Sequence, residues 1–484
     1  MQMALCMLEM EVVGVVANNM SKSFVLSDEI LNHKINDSQF EKKYSYNASS
    51  SLNDLELFTK GQPINFYKEL REKAPVFYHN SMPTDPEPGY WVLTKYEDIK
   101  YVSMNPKIFS SQYATGNLLT LGTEENRHPK LFKSTIDHML NLDGEMHLNL
   151  RREHMPFFKT GYVDDLTKKV SIKVTELLEN IAPMGECNLV KEVSQQLPIF
   201  TLSEILGIPE SDRQKLVSWM EFLELAQYFT YEMIKEQNEG KTDSTPDPAM
   251  IDMFNSMIDE MFDYGRFILN SKRKNPSNDL LSAIANAKIN GEELSQEFLD
   301  GSWLLIIFAG NDTTRNTLSG GIKLLHENQN QKDLLLNDKG LLPNFINETV
   351  RCVSPVIHMR RTSLEETEIN GQKIGPYEKI ALWYGAANRD PDIFKNPDEF
   401  NILRENADKH LAFGIGRHTC LGKPIALMQL KEFYSQFLTK FKDFEMNGDW
   451  KVAPNNFVHA IQEMPIKFKV RTVSYTHLTL PTKA

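Results

Sequence analysis

The chain of 484 residues carries 65 acidic and 53 basic side chains, a formal net charge of −12 at pH 7, which argues against a general nucleic-acid-binding protein. Its length allows one large domain or two to three smaller ones, and 41% hydrophobic residues suffice for a sizeable core and exclude disorder throughout. The four cysteines form no CxxC pair, so neither a disulfide framework nor a zinc ribbon is indicated. We expect a cytoplasmic protein in a reducing compartment.

The apolar segments are too short to cross a membrane. The most hydrophobic run, residues 303–309, is far below the roughly 20 residues that a spanning helix needs, so we expect no transmembrane anchor. Residues 1–51 are polar and predict a flexible leader, although Met20 is an alternative start. Residues 474–484 lack the periodicity of the preceding chain and are interpreted as a non-native or disordered tail. The folded domain is then expected to span residues 52–473.

Helical periodicity dominates this central part, whereas strand-like segments are few and short. Apolar residues recur at helical spacing in segments 170–182, 195–208, 298–310 and 423–441. Alternating or β-branched segments bounded by Gly and Pro occur at 89–96, 368–374 and 379–384. The sequence therefore predicts a mainly α fold with minor β sheets.

A glycine-rich loop around Cys420 is the most informative segment. Gly414, Gly416 and Gly422 surround this cysteine in the sequence FGIGRHTCLG, and glycine allows a backbone to approach a flat ligand closely. A predicted helix begins directly after the loop, and its N-terminus would stabilise a thiolate. The residues alone therefore favour a metal ligand or a nucleophile, with a buried structural cysteine as the alternative.

This loop resembles the haem-binding loop of cytochrome P-450, whose pattern FGxGxHxCxG it matches throughout. The resemblance implies that Cys420 is the axial thiolate ligand of haem b and that dioxygen is a co-substrate. It also implies that Phe413 packs near the sulfur and tunes it. The other haem-contacting positions that it implies in the loop are Gly414, His418 and Gly422.

The apolar segment 298–310 continues into the sequence AGNDTT. A glycine inside a helix costs about 1 kcal/mol relative to alanine, and the simplest interpretation is a core helix that bends at small residues. AGNDTT, however, resembles the oxygen-activation motif of the same family. The resemblance implies that Ala309 and Gly310 make room for dioxygen and that Asp312 and Thr313 relay protons.

Four basic side chains are expected to hold the haem propionates. His147 and Arg151 are one helical turn apart and both donate hydrogen bonds; they resemble the HxxxR pair of bacterial family members. Arg361 best fits the third position, with Arg360 as the alternative in register. His418 of the cysteine loop is the fourth.

Glu348 and Arg351 form an ExxR pair upstream of the cysteine loop. Taken alone, such a pair is typical of the solvent-exposed face of a helix. The resemblance implies instead a structural pair that stabilises the core together with Arg389 of the sequence ANRDP. No catalytic role is expected for these three residues.

The resemblance implies a triangular, α-rich prism enclosing one haem, and a soluble bacterial monooxygenase that inserts one atom of dioxygen into a C–H bond. Because no dinucleotide fingerprint, flavin domain or iron–sulfur cysteine cluster is seen, we expect electrons from a separate ferredoxin and its NAD(P)H-dependent reductase. Lys409, Arg417 and Lys423 flank the cysteine loop and are candidate docking residues. A merely solubilising surface is the alternative.

The motifs look most like those of family members that act on sterols, terpenoids and branched lipids, so a hydrophobic small-molecule substrate is expected. Candidate pocket residues are Leu305, Phe308, Val356 and Met359. Two alternatives stay open. One is a haem-thiolate sensor that binds ligands without turnover, and the other is a family member that performs peroxide-driven or rearrangement chemistry.

Overall fold

The computed structural model describes residues 46–80, 89–112, 130, 134, 138–222, 248–289 and 291–471. The expected tail lies outside these residues, as does most of the expected leader. Residues 46–51, which the sequence assigns to the leader, belong to the fold, because the Tyr46 hydroxyl donates to Glu69 Oε1 at 3.0 Å and the Tyr46 ring packs edge-on against Phe77.

Helices make up most of the described chain, as the apolar periodicity predicts. They are α1 (Ile64–Lys73), α2 (Tyr96–Met104), α3 (Gly144–His154), α4 (Thr160–Ile181), α5 (Gln196–Leu206), α6 (Pro248–Lys274), α7 (Leu280–Asn286), α8 (Gln296–Glu327), α9 (Gln329–Asn337), α10 (Leu342–Val353), the short α11 (Tyr384–Ala387) and α12 (Lys423–Lys440). Residues 213–222 are helical as well. Within the described residues, no helix is both long and apolar enough to span a membrane.

The strands are short and form one larger sheet and several small ones. The larger sheet has the order β1 (Val76–Asn80), β2 (Gly89–Leu93), β10 (Lys379–Trp383), β7 (His358–Ser363) and β3 (Phe109–Ser110). A second sheet has the order β11 (Phe441–Met446), β14 (Pro465–Val470) and β4 (Glu186–Asn188). The two-stranded pairs are β5 (Lys288–Ile289) with β6 (Glu292–Glu293), β8 (Thr367–Ile369) with β9 (Gln372–Ile374), and β12 (Lys451–Val452) with β13 (Ile461–Glu463). The predicted fold class, mainly α with minor sheets, is confirmed.

Helix α8 is the longest described helix, with 32 residues, and it packs at the centre of the helical core. Ser295 caps its N-terminus by accepting a hydrogen bond from the backbone of Phe298 at 3.2 Å. The buried Trp303 donates to the carbonyl of Met261 on α6 at 3.1 Å. Farther along, the Tyr434 hydroxyl of α12 donates to the carbonyl of Thr317 at 2.6 Å. These contacts fix α8 relative to α12, the helix that follows the cysteine loop.

Candidate active site

The cysteine loop is held in shape by two glycines with left-handed backbone. Gly414 has φ +67° and Gly416 has φ +81°, a conformation that other residues rarely adopt. A Cβ at Gly416 would lie 2.7 Å from the carbonyl oxygen of Ser103, so α2 can pack against the loop only if this position is glycine. The backbone N–H of Cys420 donates to the carbonyl of Phe413 at 2.8 Å, which closes the loop.

The thiol of Cys420 is accessible and yet lies deep within the fold. Its side chain is exposed, but desolvation by the surrounding protein raises the pKa of the thiol. The backbone N–H groups of Gly422 and Lys423 and the charge of Arg151 oppose this rise in pKa. A bound metal would stabilise the thiolate of this desolvated cysteine, so the loop fits a metal-ligating role for Cys420.

The four basic side chains expected to hold propionates converge beside this loop. The rings of His147 and His418 stack with centroids 4.1 Å apart. Arg151 donates to the carbonyl of Thr419 at 2.5 Å, next to the cysteine. Burial, together with the charges of His418, Arg151 and Arg361, lowers the pKa of His147 to about 3.

Strand β7 decides between the two candidate arginines. Adjacent residues of a strand point to opposite faces, so Arg360 and Arg361 cannot both face the histidines. Arg361 lowers the pKa values of His147 and His418, whereas the guanidinium of Arg360 lies 5.8 Å from the ring centroid of Tyr90. The geometry therefore favours Arg361, the first choice from the sequence.

This cluster is suited to a ligand that carries carboxylates. The Nε2 atom of His147 is buried and has no hydrogen-bond partner among the described residues, and a buried polar atom without a partner costs about 1–3 kcal/mol. A buried cluster of donors and cations is also costly unless negative charge offsets it. The residues present therefore fit haem, whose two propionates would face the cluster while the thiolate binds iron.

The expected oxygen-activation motif lies on an open stripe of helix α8. Leu305, Ala309 and Thr313 are four residues apart and share one helix face; Ala309 is exposed and the other two are half-buried. Among the residues that the structure describes, the Thr313 hydroxyl makes one hydrogen bond, a long one of 3.4 Å to the carbonyl of Ala309. This hydroxyl is therefore available to a molecule beside helix α8.

Asp312 occupies the buried side of the same turn. Its Oδ1 accepts a hydrogen bond from Asn311 Nδ2 at 3.0 Å and lies 3.5 Å from Nη2 of Arg315. The carboxylate thus has two neighbours within its own helix, and Thr313 follows it in sequence. A proton relay needs a carboxylate held in a fixed position and a hydroxyl that can donate, and these two adjacent residues carry both groups.

Gly310 does not share the open face with Ala309. A Cβ at Gly310 would lie 2.9 Å from Cδ1 of Leu202 on α5. The missing side chain therefore gives room to Leu202 of the neighbouring helix, and a role of Gly310 in making room for dioxygen stays a prediction. Ala309 remains the small residue on the open stripe.

The candidate pocket residues come from two regions of the fold. Leu305 and Phe308 of α8 are half-buried, and Phe308 packs partly against the helical core. Val356 and Met359 are also half-buried and pack against the core of the larger sheet. Their role in binding substrate stays a prediction.

One segment joins these two regions. Val356 forms a β-bridge with Val458, and the backbone of nearby Ile461 donates to Asn316 Oδ1 of α8 at 2.7 Å. The strand that begins at residue 358 is therefore tied to the helix that carries Asp312.

Glu348 and Arg351 form a buried, bidentate ion pair. The further arginine that contacts this pair is Arg404 and not Arg389. Glu348 and Arg351 are joined by two hydrogen bonds of 2.8 Å, and Arg404 Nε donates to both Glu348 oxygens at 3.0 and 3.1 Å. Arg389 instead donates to the carbonyl of Cys352 at 2.8 Å and lies 3.7 Å from Asp398. The prediction for Arg389 is thus corrected: the guanidinium of Arg404 reaches Glu348 because its loop folds back over α10.

Three residues that contact the site, Asp143, Arg315 and Arg404, are not predicted from the sequence motifs. Asp143 immediately precedes the HxxxR helix, and an Asp at that position signals a helix start, so it could have been noticed. Arg315 lies one turn after Asp312, a spacing that allows pairing. Arg404 lies 56 residues from Glu348, and no local pattern connects them.

Comparisons with known proteins agree with this geometry. The family model for cytochrome P450 matches residues 126–470. A linalool 8-monooxygenase from Pseudomonas putida is 30% identical over 417 residues, which cover 86% of this chain and 98% of that protein. A methyl-branched lipid omega-hydroxylase from Mycobacterium bovis is 29% identical over 411 residues, 83% of this chain and 90% of that protein.

The fold is also that of solved family members. The structure of cytochrome P450-153 from Novosphingobium aromaticivorans superposes with a TM-score of 0.74 at 27% identity, covering 86% of this chain and 99% of the other. Family membership brings haem bound through a cysteine thiolate and the use of dioxygen. With the cysteine loop, the basic cluster and the open face of α8 in place, this chain belongs to the cytochrome P450 family and is an oxygen-incorporating oxidoreductase.

Proposed function

We propose that this P450 hydroxylates the methyl-bearing end of a branched aliphatic chain, in a terpenoid, sterol or branched lipid. The observation that carries the proposal is the apolar, half-open stripe of helix α8, which ends at Asp312 and Thr313. A substrate lying along this stripe would bring a hydrocarbon group, not a polar one, to the reacting position.

The residues of this stripe argue for an aliphatic substrate. Leu305 and Ala309 of the stripe, together with the neighbouring Phe308, offer hydrocarbon surface without hydrogen-bonding side chains, and apolar area buried on binding contributes about 25 cal/mol per Å². Such a wall selects for size and shape rather than for polar groups. The names of two relatives, a linalool monooxygenase and a methyl-branched lipid omega-hydroxylase, support a branched chain.

We assign the haem to the space between the cysteine loop and helix α8. Cys420 would bind the iron, and His147, Arg151, Arg361 and His418 would hold the propionates. When bound, the haem supplies the redox chemistry by which one oxygen atom of dioxygen enters the substrate and the other leaves as water.

In this proposal Asp312 and Thr313 deliver protons to the oxygen-binding side. The Thr313 hydroxyl can donate its proton to a molecule beside helix α8, since its hydrogen bond to Ala309, the one it makes within the described part of the chain, is long. Asn311 and Arg315 fix Asp312 on the buried side of the helix. In this role Asp312 replaces the proton that Thr313 has donated. This arrangement speaks against a sensor without turnover, since mere ligand binding needs no proton delivery.

We further propose that a ferredoxin, reduced by an NAD(P)H-dependent reductase, docks beside the cysteine loop in the cytoplasm. Lys409 and Arg417 are exposed there, and they offer positive charge to an acidic partner. Lys423 contributes less, because it is half-buried with Nζ 5.4 Å from the ring centroid of Phe413. Arg417→Glu should raise the KM for ferredoxin several-fold, while Lys168→Glu on α4 should not.

The experiment that tests the substrate assignment is a spectral titration of the ferric holoprotein with a methyl-branched fatty acid and a straight-chain acid of equal carbon number. We expect tighter binding and a larger spin-state change with the branched acid. Product analysis should then find the hydroxyl at the branched end. Equal affinity for both acids, or hydroxylation in mid-chain, would refute the assignment.

A further inference from the structure

We propose that Asp143 is a positioning residue that orients His418 toward the haem propionates. The inference rests on the proposed role of His418 as a propionate donor. It starts from the position of Asp143 at the junction of three elements: strand β3, the N-terminus of α3 and the cysteine loop.

The side chain of Asp143 does not cap the helix that it precedes. Asp143 occupies the N-cap position of α3 but makes no side-chain capping hydrogen bond, although Asp is among the preferred capping residues and a cap contributes about 1 kcal/mol. Its carboxylate is turned away from the helix and is nearly buried. Because the Asp143 carboxylate is buried and does not cap α3, it must be held by partners outside this helix.

Those partners are two residues at the end of β3 and one in the cysteine loop. The Ser110 hydroxyl donates to Asp143 Oδ2 at 2.7 Å, and the backbone N–H of Ser111 donates to both carboxylate oxygens at 3.0 and 3.2 Å. His418 Nε2 lies 3.6 Å from Asp143 Oδ1. The hydrogen bonds from the two serines fix the carboxylate, and one edge of the His418 imidazole faces it.

The orientation of His418 is then transmitted to a second donor. Its ring stacks on His147 with an interplanar angle of 22°, and His147 follows Asp143 by one helical turn on α3. Because Nε2 of His418 faces Asp143, we assign its Nδ1 to the propionate. In metal sites, a carboxylate that contacts a ligating histidine sets the direction of its ring. We assign the same role to Asp143 toward His418.

The test measures haem retention in the holoprotein, by transfer of haem to excess apomyoglobin, together with the ferric/ferrous reduction potential. Asp143→Asn keeps the size of the side chain and removes its charge. We expect haem to be lost about tenfold faster, the lower end of typical second-sphere effects. The potential should become more positive, because loss of a negative charge near the haem favours the ferrous form. Asp164→Asn, the same change at an exposed site of α4, is the matched control.

Two further variants separate positioning from mere structural support. Ser110→Ala should reproduce part of the faster haem loss and Ser110→Thr, which keeps the hydroxyl, should restore retention. Asp143→Asn added to His418→Ala should cause no further loss, since the effect acts through His418. Wild-type haem loss and potential in Asp143→Asn, with only a lowered melting temperature, would overturn the inference and leave Asp143 as a tie between β3 and α3. If His418→Ala itself retained haem normally, the propionate assignment would fail first.

Discussion

The carboxylate of Asp312 and the guanidinium of Arg315 lie 3.5 Å apart on one turn of helix α8, and the Arg315 side chain is only 1% exposed. A buried cation next to a carboxylate holds that carboxylate in a defined position, because low dielectric strengthens their attraction. The proton relay proposed for Asp312 and Thr313 therefore includes a neighbour that fixes one of its members.

The first prediction concerns this pair. Arg315→Met should lower kcat by about tenfold or more, within the range that general acid–base catalysis contributes, and increase the solvent isotope effect, because proton delivery through Asp312 becomes slower. Arg315→Lys should recover part of the rate. A Met variant with wild-type kcat and isotope effect would exclude a role for Arg315 in the relay.

The second prediction concerns the Thr313 hydroxyl. Thr313→Ala should still consume NADH but release peroxide in place of hydroxylated product, since protons no longer reach the oxygen-binding side in order. The measurement is the ratio of product formed to NADH consumed. Thr314→Val, at the neighbouring buried position, is the control and should remain coupled. Intact coupling in Thr313→Ala would remove this residue from the relay and would favour chemistry other than monooxygenation.

The third prediction uses the two glycines of the cysteine loop. Gly416→Ala places a Cβ 2.7 Å from the backbone oxygen of Ser103 in addition to the left-handed strain of about 1–2 kcal/mol. At Gly414 the nearest atom would be 3.6 Å away, so only the strain applies. Gly416→Ala should therefore lower the melting temperature and the fraction of thiolate-ligated haem more than Gly414→Ala. The reverse order would contradict the packing of α2 against the loop.

The fourth prediction tests the corrected partner of the ExxR pair. Removing one partner of a buried ion pair typically costs about 3–5 kcal/mol, so both Glu348→Gln and Arg404→Met should reduce thermal stability strongly. In a double-mutant cycle on melting temperature, Glu348 should couple to Arg404 and not to Arg389, whose bonds go to Cys352 and Asp398. Equal coupling to both arginines would restore Arg389 to the cluster.

The sequence predicts those parts of the site whose residues lie close together along the chain. The loop around Cys420, the helix that carries Asp312 and the basic pair His147 and Arg151 each lie within one short segment, so their motifs were readable. The choice of Arg361 over Arg360 came from the family resemblance, and in the structure Arg361 is the one whose charge reaches His147 and His418.

Long-range contacts were beyond such patterns. Arg404 reaches Glu348 from a separate loop, and no periodicity signals that approach. The motif that contains Gly310 is local, whereas Leu202, which lies beside this glycine, belongs to another helix and is not predicted by any local pattern. Asp143 could be recognised as a helix cap, but only the fold shows that its carboxylate turns toward His418.

The central claim, that Cys420 ligates a haem as a thiolate, is tested most directly by the absorption difference spectrum of the dithionite-reduced holoprotein with and without carbon monoxide. The account predicts a strongly red-shifted Soret band, which Cys420→His should replace with a band at the shorter wavelength of neutral ligation. The variants Cys187→Ser and Cys352→Ala should keep the red-shifted band. A wild-type spectrum at the shorter wavelength in freshly prepared protein, or a red-shifted band that survives Cys420→His, would contradict the assignment.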